Sequence, residues 1–325
     1  MRRAAKPSLL VVAGFLVASC ATGASARSTP NAATTTTDPT PVHVTTTAPG
    51  VAADQRDIAY AGVSTAERLD LYLPKDANAT HPLVIWIHGG GWEHGDKSLG
   101  TDAPARRLLD AGFAVASLDY RLSHQAVFPA QIDDVKAAVR YLRANAASLG
   151  FDGTRIGAWG DSAGGYLAAL LGVTGDVTTF DDASLGNAAV SSRVQAVVDW
   201  YGPSSLSTMD EQFSADHCAK RAGPASSVES RLIGASIDTH AELAATASPV
   251  TYVSADDPPI LIEHGTADCL VPWQQSALLA DALSNAIGSA NVTQVMHDGA
   301  GHGGAMFTNA TNVDRVAAFF TAHLR

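Results

Sequence analysis

Residues 155–172 read RIGAW-GDSAGG-YLAALLG, and the fold turns on how the middle six are understood. Arg155–Trp159 is a short run with strand character. Tyr166–Gly172 is apolar enough to be a buried helix. Between them, Gly160-Asp161-Ser162-Ala163-Gly164-Gly165 offers one hydroxyl and almost no bulk. One reading is a glycine turn with serine as a helix cap. The other is a strand–GxSxG–helix turn that lifts Ser162 above a sheet edge as a nucleophile. Such a turn is sharp and crowds the residues two before and two after the serine, where Gly160 and Gly164 carry no Cβ. The following helix N-terminus favours negative charge nearby.

Working outward, strand-like and helix-like segments alternate. Leu69, Leu71 and Leu73 alternate with Asp70 and Tyr72, which predicts a half-buried strand, paired with an earlier one near Ile58–Val63. PLVIWI (82–87), FAVASL (113–118), RIGAW (155–159), VQAVVDW (194–200), PILIEH (259–264) and NVTQVMH (291–297) are buried-strand runs. Helices are expected over 103–110, 128–148, 166–172, 274–285 and 313–324. In the second of these, Ile132, Val135, Val139 and Leu142 share one face and Gly150 is a stop signal. This alternation predicts an α/β fold with a mostly parallel sheet, helices on both faces and an antiparallel edge. Residues 203–247 break the rhythm and are expected to form a small cap-like insertion at the carboxyl edge of the sheet.

A second motif weighs against the plain turn. His88-Gly89-Gly90-Gly91-Trp92 follows PLVIWI, and consecutive glycine N–H groups can approach a developing oxyanion without side-chain hindrance. Gly90 and Gly91, with the N–H of Ala163, are the candidate oxyanion hole. His88 is read as ordering that loop. Trp92 either lines an acyl pocket, as a substrate-binding residue, or belongs to the core. A nucleophilic serine needs a base, and the base an orienting carboxylate. Of the eleven histidines, His302 in GAGHGG (299–304) lies among small residues just past a strand, with His297 as runner-up. Asp268 in HGTADCLVP (264–272) is the candidate acid. Asp298 is too near His302 in sequence, and Asp256 and Asp257 precede their strand. The order Ser162, Asp268, His302 is the one expected for α/β-hydrolases.

HGGGW, GDSAGG, HGTAD with VP following, and GAGHGG together resemble the α/β-hydrolase superfamily. They are most similar to its hormone-sensitive-lipase-like and bacterial feruloyl/acetyl-esterase-like (BD-FAE-type) carboxylesterases. LDYRLS (118–123) and residues 128–152 resemble the same group, over roughly residues 55–325. The resemblance implies a Ser162–Asp268–His302 triad, an oxyanion hole at Gly90, Gly91 and Ala163, and hydrolysis of short acyl, acetyl- or feruloyl-type esters of small molecules. That chemistry needs no metal or cofactor. Cleavage of amides, formamides or peptides by the same triad is an alternative, as is a catalytically silent envelope binding protein on the same scaffold.

The start of the chain reads differently. Arg2, Arg3 and Lys6 precede the apolar run Leu9–Ala18, which is shorter than the ~20 residues of a bilayer span and suits a signal-peptide core. Val17-Ala18-Ser19-Cys20 resembles a lipobox with lipid attachment at Cys20; an ordinary cleaved signal with an incidental cysteine is the other reading. Residues 21–52 are rich in Thr, Ala, Ser and Pro and read as a disordered tether, leaving 53–325 as the catalytic domain. The expectation is an exported bacterial protein, either secreted or a cell-envelope lipoprotein that meets the membrane only through its anchor. In that setting Cys218 and Cys269 either pair or stay as free buried thiols. A chain of 325 residues, 46% hydrophobic with net charge −11, supports a sizeable core and argues against a nucleic-acid partner.

Overall fold

One eight-stranded sheet runs in the order β1-β2-β4-β3-β5-β6-β7-β8. Its strands are β1 (Gln55–Ala59), β2 (Arg68–Tyr72), β3 (His81–Ile87), β4 (Ala114–Leu118), β5 (Phe151–Asp161), β6 (Ala196–Trp200), β7 (Ile260–Gly265) and β8 (Val292–His297). β2 pairs antiparallel with β1 and with β4, and the remaining neighbours are parallel. The computed structural model describes residues 55–76, 80–100, 103–215, 218 and 226–325. The leader to residue 20, the lipid-attachment candidate Cys20 and the tether 21–52 lie outside the described residues.

Helices α1 (Ala130–Leu149), α2 (Ala163–Val173), α6 (Gln274–Ile287) and α8 (Ala310–Leu324) cover the sheet. β3 shows how its two faces are shared. Leu83, Ile85 and Ile87 pack with the apolar residues of α1, α2 and α6, while Val84 and Trp86 pack with those of α8. A continuous apolar run is what a strand covered on both faces requires. On the α8 side, Trp86, Trp159 and Trp200 meet edge to face, with Trp159 5.0 Å from Trp86 and 4.7 Å from Trp200. Gly150 ends α1 in the left-handed conformation and returns its N–H to the Ala146 carbonyl.

The antiparallel edge departs from the sequence reading in two ways. β1 ends at Ala59, because residues 60–66 make the turn: the Glu67 carboxylate accepts the Val63 N–H at 2.7 Å, and Tyr60 N–H reaches the Glu67 carbonyl. β2 is buried on both faces rather than one. Its Asp70 is 2.8 Å from Arg56 Nη1 and 3.3 Å from Lys97 Nζ, and Arg56 also lies over the Tyr72 ring. These partners come from other segments, so alternation along the strand could not reveal them. β5 begins at Phe151 rather than Arg155, α2 starts directly after Ser162, and residues 104–109 form a 3₁₀ helix.

The described residues of 203–247 carry three short helices, α3 (Met209–Ala215), α4 (Val228–Ile233) and α5 (Ala241–Thr246). They bond to the main layers through Tyr166 Oη to the Ala247 carbonyl at 2.6 Å and Phe128 N–H to the Leu232 carbonyl at 2.8 Å. A four-residue helix, α7 (Ala305–Thr308), precedes α8.

Candidate active site

Ser162 sits between β5 and α2 with φ +53° and ψ −119°. That is a rare conformation for a residue with a Cβ. The turn survives because its flanks are bare. A Cβ on Gly160 would come within 2.3 Å of the Gly164 carbonyl, and one on Gly164 within 2.0 Å of the Ile87 carbonyl oxygen. These approaches explain the GxSxG spacing: glycines let the first turn of α2 press against β3 and β5 while the serine stands clear.

β7 and β8 bring the other two groups to the same edge. The residue paired with Gly265 is His297, and the loops after both strands rise together. His302 Nε2 is 2.8 Å from Ser162 Oγ, and His302 Nδ1 is 2.6 Å from Asp268 Oδ2. Asp268 Oδ1 accepts the backbone N–H groups of Leu270 and Val271 at 2.8 and 3.0 Å. Burial pushes the Asp268 carboxyl up, but the bonds from His264, His302 and the backbone outweigh it and hold the group well below the usual carboxylate range. The ring of Tyr201 closes the site behind His302, edge-on with centroids 4.7 Å apart.

The glycine loop faces this group. Gly90, Gly91 and Ala163 line a cavity of about 480 Å³ together with Ser162 and His302. Gly90 has φ +105°, and a Cβ there would strike the His94 carbonyl at 2.3 Å. His88 is turned away, stacked on Tyr120 at 4.5 Å with its Nδ1 on the Gly89 carbonyl. Burial lowers its pKa, which disfavours the charged ring, in keeping with the ordering role read from sequence. Trp92 meets both readings at once. It is buried, edge-on to Tyr166 at 5.0 Å, and still borders the cavity. Pro203, Val228, Leu270 and Val271 add apolar groups to the wall.

The discarded candidates fall elsewhere. His297 bonds the buried Glu263 at 3.1 Å and packs on Phe307. Asp298 bonds Thr266, and Asp256 pairs with Arg193. Cys218 and Cys269 form a disulfide with Cα atoms 5.4 Å apart, and Cys269 borders the cavity next to Asp268. Sequence reasoning missed His264, a buried histidine with its Nε2 3.2 Å from Asp268 Oδ2. Its signal was a polar ring at the end of the buried run PILIEH, four residues before the acid.

A mostly parallel eight-stranded sheet with serine, histidine and aspartate joined at its carboxyl edge defines an α/β-hydrolase. Within that class the chain belongs to the BD-FAE family, whose model matches residues 69–283. It is similar to Esterase LipC of Mycobacterium tuberculosis, 33% identical over 243 residues, which cover 74% of this chain and 58% of LipC. The chain thus spans under two thirds of that curated relative. Among solved structures it is similar to a truncated carbohydrate esterase from gut microbiota, with TM-score 0.75, 34% identity, and coverage of 84% of this chain and 96% of the other. The propionate-bound esterase Est2 of Thermogutta terrifontis superposes with TM-score 0.65 at 26% identity, covering 84% of this chain and 94% of the other.

Proposed function

We propose that this protein is a serine carboxylesterase that hydrolyses short-chain acyl esters, including acetyl- or feruloyl-type esters, through an acyl-enzyme. The observation that carries this reading is His302 bonded to Ser162 through one nitrogen and to Asp268 through the other. His302 Nε2 takes the Ser162 proton as Oγ attacks the carbonyl carbon. The N–H groups of Gly90, Gly91 and Ala163 receive the oxyanion, each such donor being worth about 3 kcal/mol. Asp268 fixes the His302 tautomer and stabilises its charged form. The imidazolium then protonates the departing alcohol, and water repeats the sequence on the acyl group. Loss of hydrolysis of p-nitrophenyl acetate in Ser162→Ala, with the fold kept, is the expected result; wild-type activity in that variant would refute the reading.

The alcohol side is proposed to be hydroxyl-rich. A second cavity of about 400 Å³ shares Glu93 with the first and is lined by Ser123, His124, Ser230, Arg231 and Ser236. Its serine, histidine and arginine groups suit a sugar leaving group better than an aliphatic one, and the similarity to a carbohydrate esterase supports the same choice. A panel of acetylated and feruloylated sugars against plain alkyl esters tests it. The described residues of 203–247 are proposed to act as a cap, with Pro203 and Val228 lining the first cavity and Ser230 and Arg231 the second.

Export with lipid attachment at Cys20 is proposed on the leader sequence, and the Cys218–Cys269 bridge suits an oxidising compartment. Metabolic labelling with a palmitate analogue, lost in Cys20→Ala, is the expected outcome; equal labelling of both proteins would overturn it.

A further inference from the structure

The acid of the triad is itself held by a second histidine. His264 lies on β7 with its ring fully buried. Its Nε2 faces two acceptors, the Val271 carbonyl oxygen at 2.9 Å and Asp268 Oδ2 at 3.2 Å. A ring nitrogen placed between two oxygens carries the proton, since a lone pair there would repel both. The other nitrogen, Nδ1, is 2.6 Å from Ser276 Oγ, a hydroxyl able to donate or accept there. Asp268 Oδ2 therefore accepts from His302 and lies 3.2 Å from the His264 Nε2, whose hydrogen bond goes to the Val271 carbonyl, while Oδ1 accepts two backbone N–H groups.

We propose that His264 is a positioning residue for the hydrolysis, fixing the rotation of the Asp268 carboxylate and sharing its charge, with Ser276 Oγ holding the other side of the ring. The proposal rests on the ester-hydrolase reading above. The chain of contacts runs Ser276–His264–Asp268–His302–Ser162. Its electrostatic consequence has a definite sign. Each donor on Oδ2 draws charge from it, so losing the His264 donor leaves a carboxylate that holds the His302 imidazolium more tightly. Hydrolysis needs His302 neutral, so the low-pH limb of kcat/KM moves to higher pH. Loosened rotation of the carboxylate lowers kcat as well.

Other charged and titratable groups face these rings. Asp199, at the end of β6, and Tyr201, with its ring 6.4 Å away, face His264. Tyr201 and Asp161 face His302, and Glu263, bonded to His297, lies within reach of Tyr201. All of them stay in place when only His264 or Ser276 is changed. A moved limb then reports the contact with Asp268.

The test is the pH profile of kcat and KM on p-nitrophenyl acetate for the whole protein and three variants. His264→Phe keeps the ring volume and removes the donor. It is expected to lose about ten- to a hundredfold in kcat with KM little changed, and to shift the low-pH limb upward. His264→Gln offers an amide N–H in the same place and is expected to recover most of that loss. Ser276→Ala removes the side chain holding the far side of the ring without emptying the core, and is expected to shift the limb in the same direction by less. It carries the test if His264→Phe fails to fold. An unmoved limb in the folded donor-removing variants, or wild-type kcat in both, would overturn the proposal. Failure of the wild-type protein to react with a fluorophosphonate at Ser162 would instead overturn the hydrolase reading itself.

Discussion

Asp161 and Gly89, 72 residues apart in sequence, are joined by a hydrogen bond from the Gly89 N–H to Asp161 Oδ1 at 3.1 Å. The residue before the nucleophile thus holds the first glycine of the opposing loop. The distance between Ser162 and the proposed oxyanion donors is set by one side chain as well as by the sheet. A Cβ on Gly89 would fall 2.8 Å from the Asp161 carbonyl oxygen, which shows how closely the two turns approach.

Cutting that tie should cost activity more than fold. In Asp161→Ala the Gly89 N–H loses its acceptor, at a cost of about 1–3 kcal/mol. The expected result is a drop in kcat of about tenfold or more on a short ester. Asp161→Asn keeps an acceptor oxygen and should stay close to wild type. Steady-state kinetics of the two variants check this, and equal kinetics for both would contradict it.

Gly164 should tolerate nothing larger. A Cβ there lies 2.0 Å from the Ile87 carbonyl oxygen and 2.7 Å from that of His88, both backbone atoms that cannot yield without shifting β3. Gly164→Ala should lower Tm sharply and abolish activity. Gly62, where a Cβ meets nothing within 4 Å, is the matched control. Gly62→Ala should change stability by no more than about 0.5 kcal/mol. Thermal unfolding of the pair measures the contrast.

Asp133 gives stability a pH dependence of known sign. Burial, then the charges of Asp182 and Asp134, push its carboxyl up to about 7, and its Oδ1 is buried with no hydrogen-bond partner among the described residues. The unfolded value is about 3.9. A folded pKa above the unfolded one gives stability that is full below about pH 4 and is lost as pH rises through about 7. Asp133→Asn should therefore raise Tm by a few degrees at pH 8 and by much less at pH 5. Melting curves at the two pH values would contradict this if the gain were equal or larger at pH 5.

The disulfide closes a loop with a sequence separation of 51 residues, a constraint worth about 4 kcal/mol through the unfolded chain. Replacing both cysteines by serine should lower Tm by several degrees. Because Cys269 follows Asp268 directly, kcat should fall too. Alkylation of the unfolded, unreduced protein should find neither Cys218 nor Cys269 reactive; two reactive thiols would rule the bridge out.

The central strands and the three joined side chains were legible in the sequence because each depends on local pattern, whereas the strand order was not read from it. Apolar runs mark the central strands, and glycines mark the backbone approaches at Gly90, Gly160 and Gly164. What escaped notice depends on partners from elsewhere. Asp70 is buried only because Arg56 and Lys97 reach it, so β2 looked half exposed. The short helices within 203–247 are too brief to stand on propensity alone and form against the main layers. His264 reads as one more buried strand residue until Asp268, Val271 and Ser276 are seen around it.

Peptide mapping of the protein after reaction with a fluorophosphonate tests the central claim most directly. A single phosphonylated residue, Ser162, is expected in the wild type, with labelling abolished in Ser162→Ala and strongly slowed in His302→Ala. An unreactive Ser162 in the folded protein, or labelling undiminished by either substitution, would contradict the account.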